Sequence, residues 1–246
     1  MTEQLKGLIL GSPLERMARA LYIRLDPSPG SRYDRLTVAI MQRCLEAASN
    51  CIDVGAHRGT ILAEMVRLAP HGTHYAFEPV PRHCAYLVKA FPRVQVHQLA
   101  LSNIRQQADF VHDIRHPTRS SFRLTSEVNE QYEKIKVQTD LLDNIIPPTL
   151  PIKFIKIDVE GAELQVLQGA VHTLRTNRPM VVFEHTLSSA GLYDTPSEAV
   201  HDLLANDCGL KVSLPAMWLQ GKGSLNRDAF RAEVTQGQNI YFVAHP

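Results

Sequence analysis

The chain has 246 residues, 44% of them apolar and 21% charged, with 26 Lys and Arg against 25 Asp and Glu for a formal net charge of +1. This composition excludes a disordered chain, and the length suits one globular domain, or one domain with an added subregion, around a sizeable core. The near-neutral balance supplies no long-range attraction for nucleic acid or an anionic membrane, so neither is an expected partner.

Residues 1–33 carry Gly7, Gly11, Pro13, Pro27, Pro29 and Gly30 and read as an extension with one short helix near 14–24. Leu36, Ile40 and Cys44 then recur every four residues, with Met41, Leu45 and Ala48 widening the stripe, which predicts a helix over 34–48. An N-terminal helical extension over 1–48 and a main domain over 49–246 are the expected division. Cys51-Ile52-Asp53-Val54 reads as a short buried strand, followed by a helix over 60–69 that Pro70 and Gly72 stop. Strand 73–78, helix 82–91 and strand 94–99 continue the rhythm. After an irregular stretch at 104–150 come strand 152–158, helix 162–175, strand 179–184 and a helix near 196–207, with 210–214 and 239–244 completing the sheet. Such repeated strand–helix units imply an α/β fold with a mostly parallel sheet.

Within 104–150, Ala108–Val111 and Lys134–Thr139 read as edge strands flanking a polar loop with Pro117 and Ser120-Ser121, a hairpin or lid beside the main sheet. The stretch 215–238 reads as irregular. Cys44, Cys51, Cys84 and Cys208 form no C-x-x-C and read as reduced, buried thiols. No basic segment leading into a secretory apolar core opens the chain, and Leu8-Ile9-Leu10 is too short to cross a bilayer, so a cytoplasmic location is expected. No pattern specifies an oligomeric state.

In an open α/β sheet, ligands bind outside the carboxyl ends of the strands. The first strand runs out into Gly55-Ala56-His57-Arg58-Gly59, and the next ends at Glu78-Pro79. Asp53 puts a carboxylate at the first strand tip, able to face an ammonium or fix the turn, and Glu78 can accept hydrogen bonds from both ribose hydroxyls. A dinucleotide fingerprint wants a middle glycine where His57 stands, because pyrophosphate must approach the helix N-terminus there. No phosphate loop of the G-x-x-x-x-G-K-[ST] kind is present either. The crevice therefore suits a phosphate-free nucleoside with an amino-acid tail better than NAD.

Four ordered blocks then carry a resemblance: Ile52–Gly59, Ala76-Phe77-Glu78-Pro79-Val80-Pro81, Leu99-Ala100-Leu101-Ser102-Asn103, and Ile155-Lys156-Ile157-Asp158-Val159-Glu160-Gly161-Ala162-Glu163 with Val166–Ala170. Arg178-Pro179 and Val182-Phe183-Glu184 extend the pattern. The sequence resembles the FkbM family of S-adenosylmethionine-dependent methyltransferases over about 50–185. The resemblance implies a Rossmann-like class I methyltransferase fold, a mostly parallel seven-stranded sheet flanked by helices, with S-adenosylmethionine as cofactor. It implies Asp53, Gly55 and Gly59 under the methionine portion and Glu78 at the ribose, and His57 and Pro79 are counted with them as cofactor-binding residues. His57 stands where the family usually has Asn.

Methyl transfer to a hydroxyl of a small molecule or glycan is the leading functional expectation. A protein or other macromolecule methyltransferase and a catalytically silent adenosyl-ligand-binding protein are the alternatives. A hydroxyl acceptor loses a proton, which calls for a base or a metal-polarised oxygen. Asp158 ends an internal strand, Glu160 follows it, and His185 follows the strand Met180–Glu184, so these three are the expected catalytic residues, with His185 as the base supported by Asp158. Strand alternation leaves open whether Glu184 or His185 points inward. Glu163 lies in a helix first turn and reads as a cap, and Lys156 needs an acidic partner if its strand is central. Asp158, Glu160, Glu184 and His185 could also ligate a divalent ion, but acids at neighbouring strand tips arise in α/β crevices without one, so no metal ligand is assigned. The spacings His71/His74 and His112/His116 are likewise assigned no metal. Met217, Trp218 and the loop 220–224 are weighed as an acceptor-side wall.

Overall fold

The computed structural model describes residues 29–113 and 132–246. The helix expected near 14–24, and the loop with Pro117 and Ser120-Ser121, lie outside the described residues. In chain order the fold begins with α1 (Pro29–Cys44), β1 (Asn50–Val54), α2 (Thr60–Leu68), β2 (His74–Phe77), α3 (Pro81–Ala90) and β3 (Gln95–His97). β4 (Ala100–Leu101), β5 (Gln106–Asp113) and β6 (Tyr132–Asp140) follow, then α4 (Leu142–Ile145), β7 (Ile152–Ile157), α5 (Glu163–Gln168), α6 (Val171–Asn177) and β8 (Met180–Glu184). The last part holds α7 (Leu187–Gly191), α8 (Ala199–Asp202) running into a π turn over Leu203–Asp207, β9 (Lys211–Ser213), α9 (Pro215–Leu219), α10 (Arg227–Gln236) and β10 (Tyr241–His245).

Seven strands form one sheet in the order β3-β2-β1-β7-β8-β10-β9. Pairing is parallel from β3 through β8, while β10 runs antiparallel between β8 and β9. This is the Rossmann-like class I methyltransferase arrangement. The chain moves outward from β1 to β3 and returns to build β7 on the other side of β1. The reversal opens a crevice at the carboxyl ends of β1 and β7. β4, β6 and β5 make a second, three-stranded sheet, in which β5 and β6 pair antiparallel over Gln106–Asp113 and Tyr132–Asp140.

Both faces of the main sheet are covered, so its inner strands are continuous apolar runs rather than alternating ones. Ile52, Ile155, Val181 and Phe183 point to the face packed with Val166, Leu174 and Phe230. Cys51, Phe154 and Val182 point to the opposite face, packed with Ile40, Met41, Leu62 and Met65 of α1 and α2. The register pairs Asp53 with Lys156 and Lys156 with Val182. Strand alternation therefore sets Asp53, Lys156 and Glu184 on the α1 face, and His185 on the α10 face.

Two expectations need correction. The helix expected over 162–175 is broken between Gln168 and Val171. Asp143 from α4 accepts the backbone N–H of His172 (2.8 Å) and Thr173 (2.9 Å), giving α6 its own capped start. The stretch 215–238 is not irregular: Pro215 opens α9, and α10 runs from an Asn226 cap to a left-handed Gly237. The four cysteines are free, and among the described residues no helix is long and apolar enough to cross a membrane.

Candidate active site

A cavity of about 390 Å³ lies at the carboxyl ends of β1, β2, β7 and β8. β1 leaves the sheet at Asp53-Val54 and turns through Gly55, whose φ is +74°. A Cβ on Gly55 would lie 1.9 Å from the Asp158 carbonyl oxygen, so only glycine lets the exits of β1 and β7 approach this closely. His57 also adopts a left-handed φ of +48°, a conformation tolerated best by Gly, Asn, Asp and His among residues with a polar or absent side chain. That backbone requirement suits a histidine at this position. Gly59 does not line the cavity; it abuts Phe91 and lets α2 dock on α3.

Asp53 is 1% exposed and takes a backbone bond from Leu62 in the first turn of α2, while its Oδ1 has no hydrogen-bond partner. Burial pushes this carboxyl up, against the opposing pull of Lys156. Glu78 ties β2 to the β1 loop: its Oε2 accepts the His57 N–H at 2.8 Å and its Oε1 the Val80 N–H at 3.0 Å. Each oxygen retains a lone pair for a ligand hydroxyl. Burial, then the neighbouring His83 ring, pulls the His57 imidazole down to about 4, so it is neutral near pH 7. Pro79 lines the same wall.

Lys156 Nζ lies 3.2 Å from Asp158 Oδ2, 3.7 Å from Asp53 Oδ1 and 3.2 Å from the Gly55 carbonyl oxygen. Burial alone would lower this ammonium, but the charges of Asp158 and Asp53 outweigh it and hold it above its ordinary value. Tyr241 donates to Asp158 Oδ2 at 2.8 Å, and a Glu184 carboxyl oxygen lies within 4.8 Å of an Asp158 oxygen. Burial would raise Asp158, yet Lys156, Glu184 and Tyr241 bring it below the usual range. Glu184 goes the other way: burial and the Asp158 charge push it up to about 10. Glu160, with a φ of +56°, joins them, so that Asp158, Glu160 and Glu184 bring one oxygen each within 4.8 Å of one another.

His185 is absent from this cluster. It is 1% exposed, its Nε2 meets the Ser197 carbonyl at 3.2 Å, and its ring stacks on Phe230. The expectation that it emerges at the cavity edge is corrected by strand alternation, which turns Glu184 inward instead. Glu163 staples the loop after β7, accepting the N–H of Gly161 (3.0 Å) and Val159 (3.3 Å). Neither Trp218 nor the loop 220–224 reaches the cavity; Trp218 packs under the Arg43 guanidinium. His74 is buried, with its Nε2 at 2.8 Å from the Ala69 carbonyl. The side chain of His112, and His116, lie outside the described residues.

Sequence reasoning missed Tyr33, Asp34 and Tyr241, all of which line the cavity. The Tyr33 and Tyr241 rings stack at 4.9 Å, and Tyr33 Oη accepts the Ile240 N–H at 3.2 Å. Burial lifts Asp34 to about 6. The pairing of Tyr241 with Glu184 across β10 and β8 follows from sheet register, which no local pattern announces.

The donor set fits S-adenosylmethionine. Carboxylates stand at the ribose end, and Phe77, Val80 and Leu101 offer an apolar wall. Among the described residues that line it, Lys156 is the one Lys or Arg, and two acids already engage it, so none of these offers a free cation to a pyrophosphate.

Sheet order and crevice together define a class I, S-adenosylmethionine-dependent methyltransferase fold. The family model described as Methyltransferase FkbM domain matches residues 53–209, and the chain belongs to that family. No curated protein matches it. Among solved structures it is similar to methyltransferase FkbM from Methylobacillus flagellatus KT, at 15% identity and a TM-score of 0.50, covering 82% of this chain and 44% of that one. The chain thus spans less than half the length of that relative. It is also similar to precorrin-6y C5,15-methyltransferase from Geobacter metallireducens GS-15 (15% identity, TM-score 0.41, 73% of this chain and 72% of that one). A third is the Methanococcus jannaschii fibrillarin pre-rRNA processing protein (13%, 0.43, 86% and 74%).

Proposed function

We propose that this protein transfers the methyl group of S-adenosylmethionine to a hydroxyl of a small molecule or glycan. The observation that carries the reading is one cavity in which Glu78 and the Gly55–His57 turn stand beside the carboxyls of Asp158, Glu160 and Glu184. Glu78, Asp53, Gly55, His57 and Pro79 would hold the cofactor, with Glu78 accepting from the ribose and Asp53 facing the ammonium. Bound there, the cofactor supplies an electrophilic methyl on a sulfonium. Asp158, Glu160 and Glu184, across the Lys156 ammonium from Asp53, form the carboxyl cluster from which a base for a hydroxyl acceptor is drawn. Tyr33 and Tyr241 form an aromatic wall beside them, suited to the apolar face of an acceptor ring. Lys156 and Tyr241 are positioning residues that orient Asp158. The free cysteines support the expected cytoplasmic, reducing location.

Titration calorimetry with S-adenosylmethionine, S-adenosylhomocysteine and NAD tests the cofactor half. Saturable micromolar binding of both adenosyl ligands and none of NAD is the expected result; a folded sample that binds neither adenosyl ligand defeats the proposal. Transfer of a tritiated methyl from the donor to hydroxylated sugars, against the same sugars with that hydroxyl removed, tests the acceptor half.

A further inference from the structure

The cavity holds two carboxyl groups with an oxygen of each within 4.8 Å of the other, Asp158 at the exit of β7 and Glu184 at the end of β8. Two carboxylates this close repel each other, which favours one of the pair keeping its proton. Its place is set by the neighbours. Asp158 already receives Tyr241 Oη at 2.8 Å and faces Lys156 Nζ at 3.2 Å, which stabilises its anion. Glu184 faces Asp158, Glu160 and Glu163, three acids that disfavour a further charge. Asp34 of α1 adds negative charge beside Asp158 and Lys156. The proton therefore sits on Glu184.

On the reading that this cavity binds S-adenosylmethionine, we propose that the Asp158–Glu184 pair holds one proton in the empty protein and surrenders it when a sulfonium ligand binds. S-adenosylhomocysteine, a neutral thioether that lacks only the methyl and its positive charge, leaves the proton in place. A cation entering this acid-lined cavity favours the ionised form of the pair, as any nearby opposite charge does. Burial and the Asp158 charge raise the affinity of Glu184 for its proton, which keeps that proton present until the ligand arrives.

The proton account closes over one catalytic cycle. The pair loses a proton on binding the sulfonium and stands doubly ionised. It then takes the proton of the acceptor hydroxyl as the new O–CH₃ bond forms and the S–CH₃ bond breaks, with the sulfur keeping the bonding electron pair. That returns the pair to the protonation state it had when empty. The single proton that methylation of a hydroxyl must release leaves at the binding step. Glu184 thereby becomes a base only while the methyl donor is bound.

The test is calorimetry at pH 7 in two buffers of different ionisation enthalpy, which counts protons exchanged. At this pH both ligands keep their ammonium group, below the α-amino range, so the difference between them reports the protein. The wild-type protein is expected to release more protons, up to one, with S-adenosylmethionine than with S-adenosylhomocysteine. In Glu184→Gln that difference disappears, because the amide carries no ionisable proton. The affinity ratio of the two ligands in the wild type should rise with pH, by up to about tenfold per unit between pH 6 and 8. Equal proton counts for both ligands, or a ratio flat with pH, would overturn the proposal and leave the methyltransferase reading standing. A difference that survives in Glu184→Gln also overturns it. A Glu184→Gln chain that does not fold leaves the wild-type proton count and ratio to decide. A folded wild-type protein that binds neither ligand removes the reading of the site, and this proposal with it.

Discussion

Replacing Lys156 by Met keeps the length of the side chain and removes the one ammonium that holds the exits of β1 and β7 together. In the wild type that charge is 3.2 Å from Asp158 and 3.7 Å from Asp53. At an effective dielectric near 20 each attraction is about 4–5 kcal/mol, offset by a desolvation cost of several kcal/mol for the buried ammonium. The variant leaves two carboxylates unpaired, and its expected loss of unfolding free energy at pH 7 is about 3–5 kcal/mol. The sign of the pH dependence follows. Without Lys156, the folded-state pKa of Asp53 rises further and that of Asp158 rises above its present depressed value. A carboxyl with a raised folded pKa contributes most below its unfolded pKa and loses that contribution as pH climbs through the folded value. The deficit of the variant should therefore be smallest near pH 5 and largest above pH 7. Urea denaturation of both proteins across that range measures it. A deficit under about 1 kcal/mol at pH 7, or one that does not change with pH, would refute the claim that Lys156 acts as the charge partner of both acids.

Glu78→Gln should weaken S-adenosylmethionine binding by about 10- to 100-fold through loss of a charged acceptor; unchanged affinity in calorimetry would strip Glu78 of its ribose role. His185→Ala should leave cofactor affinity within about twofold while costing roughly 2–3 kcal/mol of stability through the lost stack on Phe230. A large affinity loss at unchanged stability would return His185 to the site. Glu163 is lifted from 4.5 to about 7, chiefly by burial, so its contribution is fully present below its unfolded value and is lost as pH rises through 7. Glu163→Gln, which still accepts from Gly161, should gain on the wild type by roughly 3 kcal/mol between pH 4.5 and 8. A gap constant across pH in urea unfolding would contradict that account.

The strands β1, β7 and β8 were legible because each is buried on both faces, and burial on both faces writes an unbroken apolar run. Asp53, Glu78 and Asp158 were legible because they terminate such runs, where chain direction alone places a side chain at the ligand edge. His185 shows where this logic stops. It is one residue beyond Glu184, and a single step along a strand exchanges the cavity face for the Phe230 face. The helix α10 was not legible because Phe230 and Val234 are its only buried residues, too few for a stripe. Tyr33 and Tyr241 lie about as far apart as the described chain allows, and their contact exists only because antiparallel β10 brings Tyr241 opposite Glu184. Neither local periodicity nor spacing encodes a pairing that a distant strand creates.

The same distance separates the parts of the cavity by origin. The family match begins at residue 53 and ends at 209. Asp53, Gly55, His57, Glu78, Pro79, Asp158, Glu160 and Glu184 lie within it, and they include every residue proposed to hold the donor or take the proton. Tyr33 and Asp34 on α1, Ile240 just before β10 and Tyr241 at its start lie outside it, yet they line the same space. The stack of Tyr33 on Tyr241 and the bond from Ile240 to Tyr33 join these two flanks to each other across the sheet edge. Tyr241 then connects them to the core chemistry through its bond to Asp158. A wall built from segments outside the shared core can change shape without disturbing Asp53 or Glu78. Under the proposed function, acceptor choice is thus carried by α1 and β10, while donor binding stays with β1 and β2. Exchanging Tyr33 for a smaller side chain should accordingly alter which acceptors are methylated while leaving the affinity for S-adenosylhomocysteine in place.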